Sequence, residues 1–373
     1  MTERGARLLE LAALFFRIGA TTFGGPAAHI AVLHDEVVRR RGWLSEDEFV
    51  DLLGAVNLIP GPNSTELAIH VGYRRAGVPG LVVSGVCFIL PAMALTGVLG
   101  WAYVRYGALP DVGWLLEGIK PVILAVVLQA LWALAVRVMK GWPLRALGLG
   151  CVGASALGAH ELLVLFGAGL AVLAGRRVMP RPPPSAALLA APLSAGVATS
   201  VGLSGLFWVF LKAGALLFGS GYVLLAFLRA DLVERLGWLT EAQLIDAIAA
   251  GQVTPGPVFT TATFIGMVLG GWQGALVATV AIFLPAFVYV ALSAPLLPRL
   301  RASKGAAAFV DGVNVAAVAL MAVVAAQLAH AAVVDVATGV LAVLSALVLL
   351  RFKVNATWLV LAGAAAAWIL HRV

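Results

Sequence analysis

Apolar runs near or above ~18 residues recur along most of this 373-residue chain, the length a helix needs to cross a hydrocarbon core. Alternating ten-residue segments of the kind that build a transmembrane barrel do not occur. The pattern predicts an all-α polytopic membrane protein. It also breaks in an unexpected place. "LIPGPNSTE" (58–66) puts two prolines and a glycine where a membrane helix should continue, and "VTPGPVFTT" (253–261) repeats the interruption.

The chain in fact repeats throughout at that one offset. "FRIGATTFGG" (16–25) aligns with "LKAGALLFGS" (211–220), and "RGWLSEDEF" (41–49) with "LGWLTEAQL" (236–244). Pro60-Gly61-Pro62 aligns with Pro255-Gly256-Pro257, and, after one residue is lost, Pro91 with Pro285 and Gly118 with Gly312. Two copies of one unit are expected, as domains 1–177 and 204–373. The joint, 178–203, is a Pro-rich linker with a short apolar segment. In the first copy the basic connections are Arg39-Arg40-Arg41, Arg74-Arg75, and Arg137 with Lys140 and Arg145. Their counterparts are weaker, whereas Arg299, Arg301 and Lys304 outweigh Arg105 of the first copy. Positive loops stay in the cytoplasm, so the copies are expected to lie in opposite orientations, as an inverted repeat. A parallel repeat is the alternative.

Composition agrees with the membrane reading. The chain is 62% hydrophobic and 12% charged, against about 25% charged in soluble domains; its mean hydropathy is +1.01. The net charge of +7 is scattered over helix ends, a poor fit to nucleic acid. Cys87 and Cys151 stand in apolar surroundings and read as small buried side chains, not as a disulfide. The first run, Leu8 to Val32, is too long for a signal-peptide core and carries Arg17.

Ser45-x-x-Glu48 and Thr240-x-x-Gln243 read as capping boxes. The helix after Ser45 is expected to run to about Ile59, with an apolar part from Leu52 covering ~12 Å; the arm 62–73 covers about 18 Å. Neither spans ~30 Å alone, and both outer ends are basic. A re-entrant hairpin with Pro-Gly-Pro at its tip fits these lengths; a packed loop is the structural alternative. Irregular backbone at that depth must be buried in protein or face water. Pro62 suits a first helical position, which would leave the amides of Asn63, Ser64 and Thr65 unpaired. A helix start of this kind is an anion site. In the second copy the role falls to Val258, Phe259 and Thr260, with Thr261 and Thr263 close by.

Arg17 and Lys212 are cations within apolar segments, where a charge costs about 3 kcal/mol or more. They are candidate substrate contacts; snorkelling, or pairing with Glu66 or Asp51, is the alternative. Gly24-Gly25-Pro26 and Gly219-Ser220-Gly221 are expected to unwind the first helix of each copy. Glu66 has no acidic counterpart, since position 261 is threonine. It is a candidate for proton coupling or for neutralising Arg17, and His29 and His70 are further candidate proton carriers. Trp43 and Trp238 read as interfacial anchors. Motifs for ATP, for a nucleophile elbow and for metal ligation do not occur. The expectation is a secondary carrier, not an enzyme, with no metal and no cofactor.

"FRIGATTFGGPAAHI", "RGWLSEDEFVDLLGAVNLIPGP" and "FGSGY … GWLTEAQLIDAIAAGQVTPGP" together resemble the chromate ion transporter family in its long, two-domain form. The resemblance implies export of chromate, a tetrahedral dianion, across a bacterial inner membrane, conferring resistance. It carries motif positions onto Arg17, Gly24, Gly25, Pro26, Asn57, Pro60, Gly61, Pro62, Lys212, Gln252, Pro255, Gly256 and Pro257, beside Asn63, Ser64, Thr65, Gly219, Ser220, Thr260 and Thr261. At 220–221 Ser-Gly stands where the first copy has Gly-Pro, which weakens equal roles for the halves. Sulfate or another oxyanion, or an anion channel of the same architecture, are the competing readings. The expected partners are the oxyanion and the lipid bilayer; a homodimer is compatible with both.

Overall fold

The computed structural model describes residues 3–107, 109–175, 202–217, 224–294, 303–352, 354 and 356–370, and among them every regular element is helical. The linker calls at 178–201, and Gly219 and Ser220, lie outside the described residues.

Each copy opens with a helical hairpin. α1 (Glu3–Thr21) is followed by α2 (Gly25–His34), which a π-helical turn continues through Asp35–Arg40. Arg17 meets Glu36 at 2.8 Å and Glu10 meets Arg41 at 2.8 Å. Later positions in one helix meet earlier positions in the other, so the chain reverses at 22–24. Gly24 (φ 106°) and Gly25 (φ 71°) make the reversal, a conformation glycine adopts without a Cβ penalty. The break is thus sharper than the unwinding expected. In the second copy α8 (Leu203–Leu216) precedes α9 (Leu224–Leu228) and the turn Arg229–Arg235. Lys212 meets Asp231 at 2.7 Å, and a Cβ on Gly205 would touch Trp238, the same antiparallel order.

The next hairpin carries the Pro-Gly-Pro tip. α3 (Glu46–Val56) and α10 (Glu241–Val253) start at Ser45 and Thr240, and both capping boxes are closed. α3 stops three residues short of Ile59, where the Asn57 side-chain amide donates to the Leu53 carbonyl at 2.8 Å; such a bond competes with continuing the helix. The outgoing arms open α4 (Asn63–Tyr106) and α11 (Thr261–Ser293), the second preceded by a 3-10 turn, Val258–Thr260. Both helices then double back. The breaks fall at Ala76-Gly77 and Gly270-Gly271, with Gly77 at φ 65° and Gly271 at φ 59°. Gly72 lies against Gly80, Gly266 against Gly274, and the Thr263 and Thr279 hydroxyls are 2.7 Å apart. On a straight helix these pairs would be about 12 Å and about 24 Å apart.

After the breaks, the long arms 78–106 and 272–293 pack on each other. A Cβ on Gly85 would touch Phe287, and one on Gly97 would touch Trp272. Rising numbers in one arm meet falling numbers in the other, so two equivalent spans run antiparallel. The repeats are inverted.

Among the described residues, four helical stretches are long and apolar enough to cross a membrane: α4, Gly113–Val138 within α5 (Pro110–Val138), Val258–Ser293, and α12 (Lys304–Ala332). α6 (Trp142–Ala156), α7 (Glu161–Gly175), α13 (Val336–Phe352) and α14 (Ala356–Leu370) have 15 to 17 residues and rise about 22–26 Å. They pack across the repeat boundary. α5 of the first copy lies on α13 and α14 of the second, and α12 of the second on α6 and α7 of the first. Gly118 closes on the Gly363 backbone and Gly312 on that of Ala168 and Gly169, equivalent pairs exchanged. One core therefore holds Val122, Val127 and Leu165 together with Val313, Leu320 and Val360. Reciprocal exchange of this kind is the signature of a two-fold axis.

Candidate functional site

The two Pro-Gly-Pro tips each reach across that axis to the residue just past the first helix of the other copy. The Gly61 amide donates to the Leu217 carbonyl at 2.6 Å, and the Gly256 amide to the Thr22 carbonyl at 3.1 Å. Positions 61 and 256 are equivalent, as are 22 and 217, so each Pro-Gly-Pro tip is bonded to the first-hairpin tip of the other copy. Glycine is required at both. Gly256 (φ 90°) leaves a Cβ 2.9 Å from the Gly19 carbonyl, and Gly61 (φ 139°) would drive one into the Glu66 carboxyl. Gly61, Pro62, Pro255, Gly256 and Pro257 are buried, Pro60 is half-buried and Asn57 is exposed. The Asn63 side-chain amide donates to that of Asn57 at 2.8 Å.

The helix starts differ from expectation in one respect. Pro62 caps its arm in an extended conformation (φ −78°, ψ 93°), and Asn63 is the first helical residue. The Pro62 carbonyl then accepts the amides of Thr65 (2.8 Å) and Glu66 (3.0 Å), as the Pro257 carbonyl accepts that of Thr260 (3.0 Å). This corrects the donor set: the Thr65 and Thr260 amides are spent on the tips' own carbonyls. The expected backbone donors narrow to the residues before them.

Chemically the two tips are unlike. Around the second, the Thr96 hydroxyl lies 3.4 Å from that of Thr254 and 3.2 Å from that of Thr260. The Thr260 and Thr261 hydroxyls donate to the Pro257 and Val258 carbonyls at 2.9 and 2.8 Å. At the first tip, Ile59 and Val290 stand at the equivalents of Thr254 and Thr96. Ser64, Thr65 and Glu66 are buried there, and neither the Thr65 hydroxyl nor either Glu66 oxygen has a hydrogen-bond partner among the described residues.

Arg17 and Lys212 pair with neither Glu66 nor Asp51. Arg17 is held by Glu36, which also takes Arg40 (3.1 Å) and Arg41 (3.3 Å). Lys212 is held by Asp231, which also takes Arg235 at 3.0 Å. These carboxylates went unremarked in the sequence, although a signal was there: positions 36 and 231 are equivalent and both acidic. The carboxylates are buried, Lys212 is largely buried, and the Arg17 side chain is 53% exposed. Of the remaining candidates, His29 Nε2 lies 3.1 Å from the Thr22 carbonyl, on the oxygen that holds Gly256. His70 and Gln252 are buried, with Nε2 unbonded in each among the described residues. Gly25 is buried and Gly24 exposed. Among the described residues no three His, Cys, Asp or Glu side chains cluster as metal ligands would.

Two inverted, interleaved helical repeats whose backbone breaks meet in the interior define a multi-pass membrane protein of the transporter class. The chain belongs to the chromate transporter family, whose model matches residues 9–173 and 204–368. It is 33% identical to a chromate transport protein of Cupriavidus metallidurans over 96% of this chain and 92% of that one. It is 30% identical to a chromate transport protein of Pseudomonas aeruginosa over the same shares. A probable chromate transport protein of Synechococcus elongatus is 32% identical over 83% of this chain and 81% of its own. No solved structure matches.

Proposed function

We propose that the protein is a secondary transporter that carries chromate out of the cytoplasm across a bacterial inner membrane and so confers resistance. The observation that carries this reading is the reciprocal crossing of Gly61 to Leu217 and Gly256 to Thr22. It brings two helix starts of opposite direction to one place, and each carries the partial positive charge of a helix N-terminus. Ser64 and Phe259 are the proposed backbone donors to a tetrahedral dianion; the Asn57 and Gln252 side chains flank them. Arg17 and Lys212 supply charge, each balanced by its own carboxylate until an anion competes for it. Rocking of one repeat against the other about this site gives alternating access.

Cells making the protein are expected to accumulate less labelled chromate than cells without it, and Arg17→Ala and Lys212→Ala to remove that difference. Accumulation unchanged by both substitutions would exclude these cations from the site. The proposed contacts recognise oxygens and charge, not the central atom, which favours sulfate as a second substrate. Exchange of labelled chromate against a panel of tetrahedral anions in proteoliposomes separates the two readings.

A further inference from the structure

We propose that Glu66 is a proton-binding site linked to the anion: the protonated acid is the form that admits a dianion at the first tip. This rests on the oxyanion-transport reading above.

Glu66 is fully buried, and neither carboxyl oxygen has a hydrogen-bond partner among the described residues. Burying an unpaired carboxylate costs far more than burying the neutral acid. Among the described residues the nearby charged groups are already paired elsewhere. Arg17 is bonded to Glu36, Lys212 to Asp231, and Arg75 to Glu10 at 3.2 Å. His29 is on the Thr22 carbonyl, and Asp246 accepts from Tyr103 at 3.0 Å. From α11, Tyr289 lies within electrostatic range of Glu66, but its hydroxyl donates to the Ala215 carbonyl at 3.0 Å. On its own helix, His70 is one turn further along.

The position of the carboxyl ties its charge to the tip. It packs directly against Gly61, whose amide makes the crossing bond to Leu217. The same level of the second copy holds Thr260 and Thr261, neutral and bonded to backbone carbonyls. With a proton on Glu66 the two tips are alike in charge. Without it, the first presents a negative group to an incoming dianion. Repulsion between the two links them with a definite sign: anion binding favours proton uptake, and by reciprocity a bound proton tightens the anion. Where alkaline solution has removed the proton from the empty site, the carboxylate gains an O–H bond from a solvent proton as the anion enters, and returns that proton when the anion leaves.

The test uses the full-length protein in detergent, weakly buffered with a pH indicator, at steps from about pH 7 to about pH 10. Chromate is added and binding is followed in parallel by calorimetry. Wild type is expected to take up a fraction of a proton per bound anion that rises with pH toward one, and its affinity to fall with a slope that approaches tenfold per pH unit at the alkaline end. Glu66→Gln is expected to bind chromate without proton uptake and with an affinity that no longer depends on pH. Binding by wild type without proton uptake at every pH tested overturns the proposal whether or not the variant folds. Uptake that persists in Glu66→Gln overturns the assignment to this residue. No chromate binding by folded wild type instead overturns the substrate reading beneath it.

Discussion

The two Pro-Gly-Pro tips share backbone geometry and differ in their side chains. Both glycines have positive φ, both donate across the two-fold axis, and both following arms turn an amide back on the second proline of the tip. Yet His29, Glu66 and His70, all buried, belong to the first copy, where the second has Leu224, Thr261 and Phe264. The second tip is instead a set of hydroxyls bonded to one another and to backbone. Backbone symmetry suffices to bring the two tips together at the axis. The departures from it leave His29, Glu66 and His70 without titratable counterparts in the second copy.

The largest expected difference between the copies lies in their ion pairs. Lys212→Ala is expected to cost about 3 kcal/mol, because it strips a buried aspartate of one of its two cations. Arg17→Ala should cost below about 1 kcal/mol, since Arg17 is half-exposed and Glu36 keeps Arg40 and Arg41. Thermal unfolding in detergent checks this, and equal losses would show that the pairs are not differently buried. A smaller effect should be equal in both copies. A Cβ on Gly19 meets the Phe88 carbonyl and one on Gly214 the Ile282 carbonyl. Gly19→Val and Gly214→Val are each expected to destabilise by about 2 kcal/mol, and tolerance of one alone would break the equivalence of α1 and α8.

The smallest effect separates the caps. Ser45→Ala and Thr240→Ala should each cost about 1 kcal/mol near neutral pH, but only the first cap titrates. The Ser45 amide and hydroxyl hold the Glu48 carboxylate below its ordinary value of 4.5. A depressed folded value means the contribution is complete above the unfolded value and is lost as pH falls through the folded one. Amide protection at the start of α3 should therefore drop between about pH 5 and about pH 3, while that at the start of α10, closed by Gln243, should not. Parallel loss at both would indicate global acid unfolding.

Part of this molecule is written locally. The two copies, the capping boxes, the tips and the opposite orientation follow from residue spacing and from charge at helix ends, because caps, breaks and the positive-inside bias act within a few residues. Hairpin lengths against bilayer thickness were legible for the same reason. Tertiary structure alone decided the rest. The acceptors for Gly61 and Gly256 are main-chain carbonyls far away in the chain, at Leu217 and Thr22, and a carbonyl has no side-chain signature. The partners of Arg17 and Lys212 became definite only when the first helix was seen to reverse, bringing positions 36 and 231 alongside. The exchange of α5 and α12 between repeats depends on glycine backbones closing at Gly118–Gly363 and Gly169–Gly312. Such contacts are chosen by which surfaces fit once all the helices are present, so no single segment specifies them.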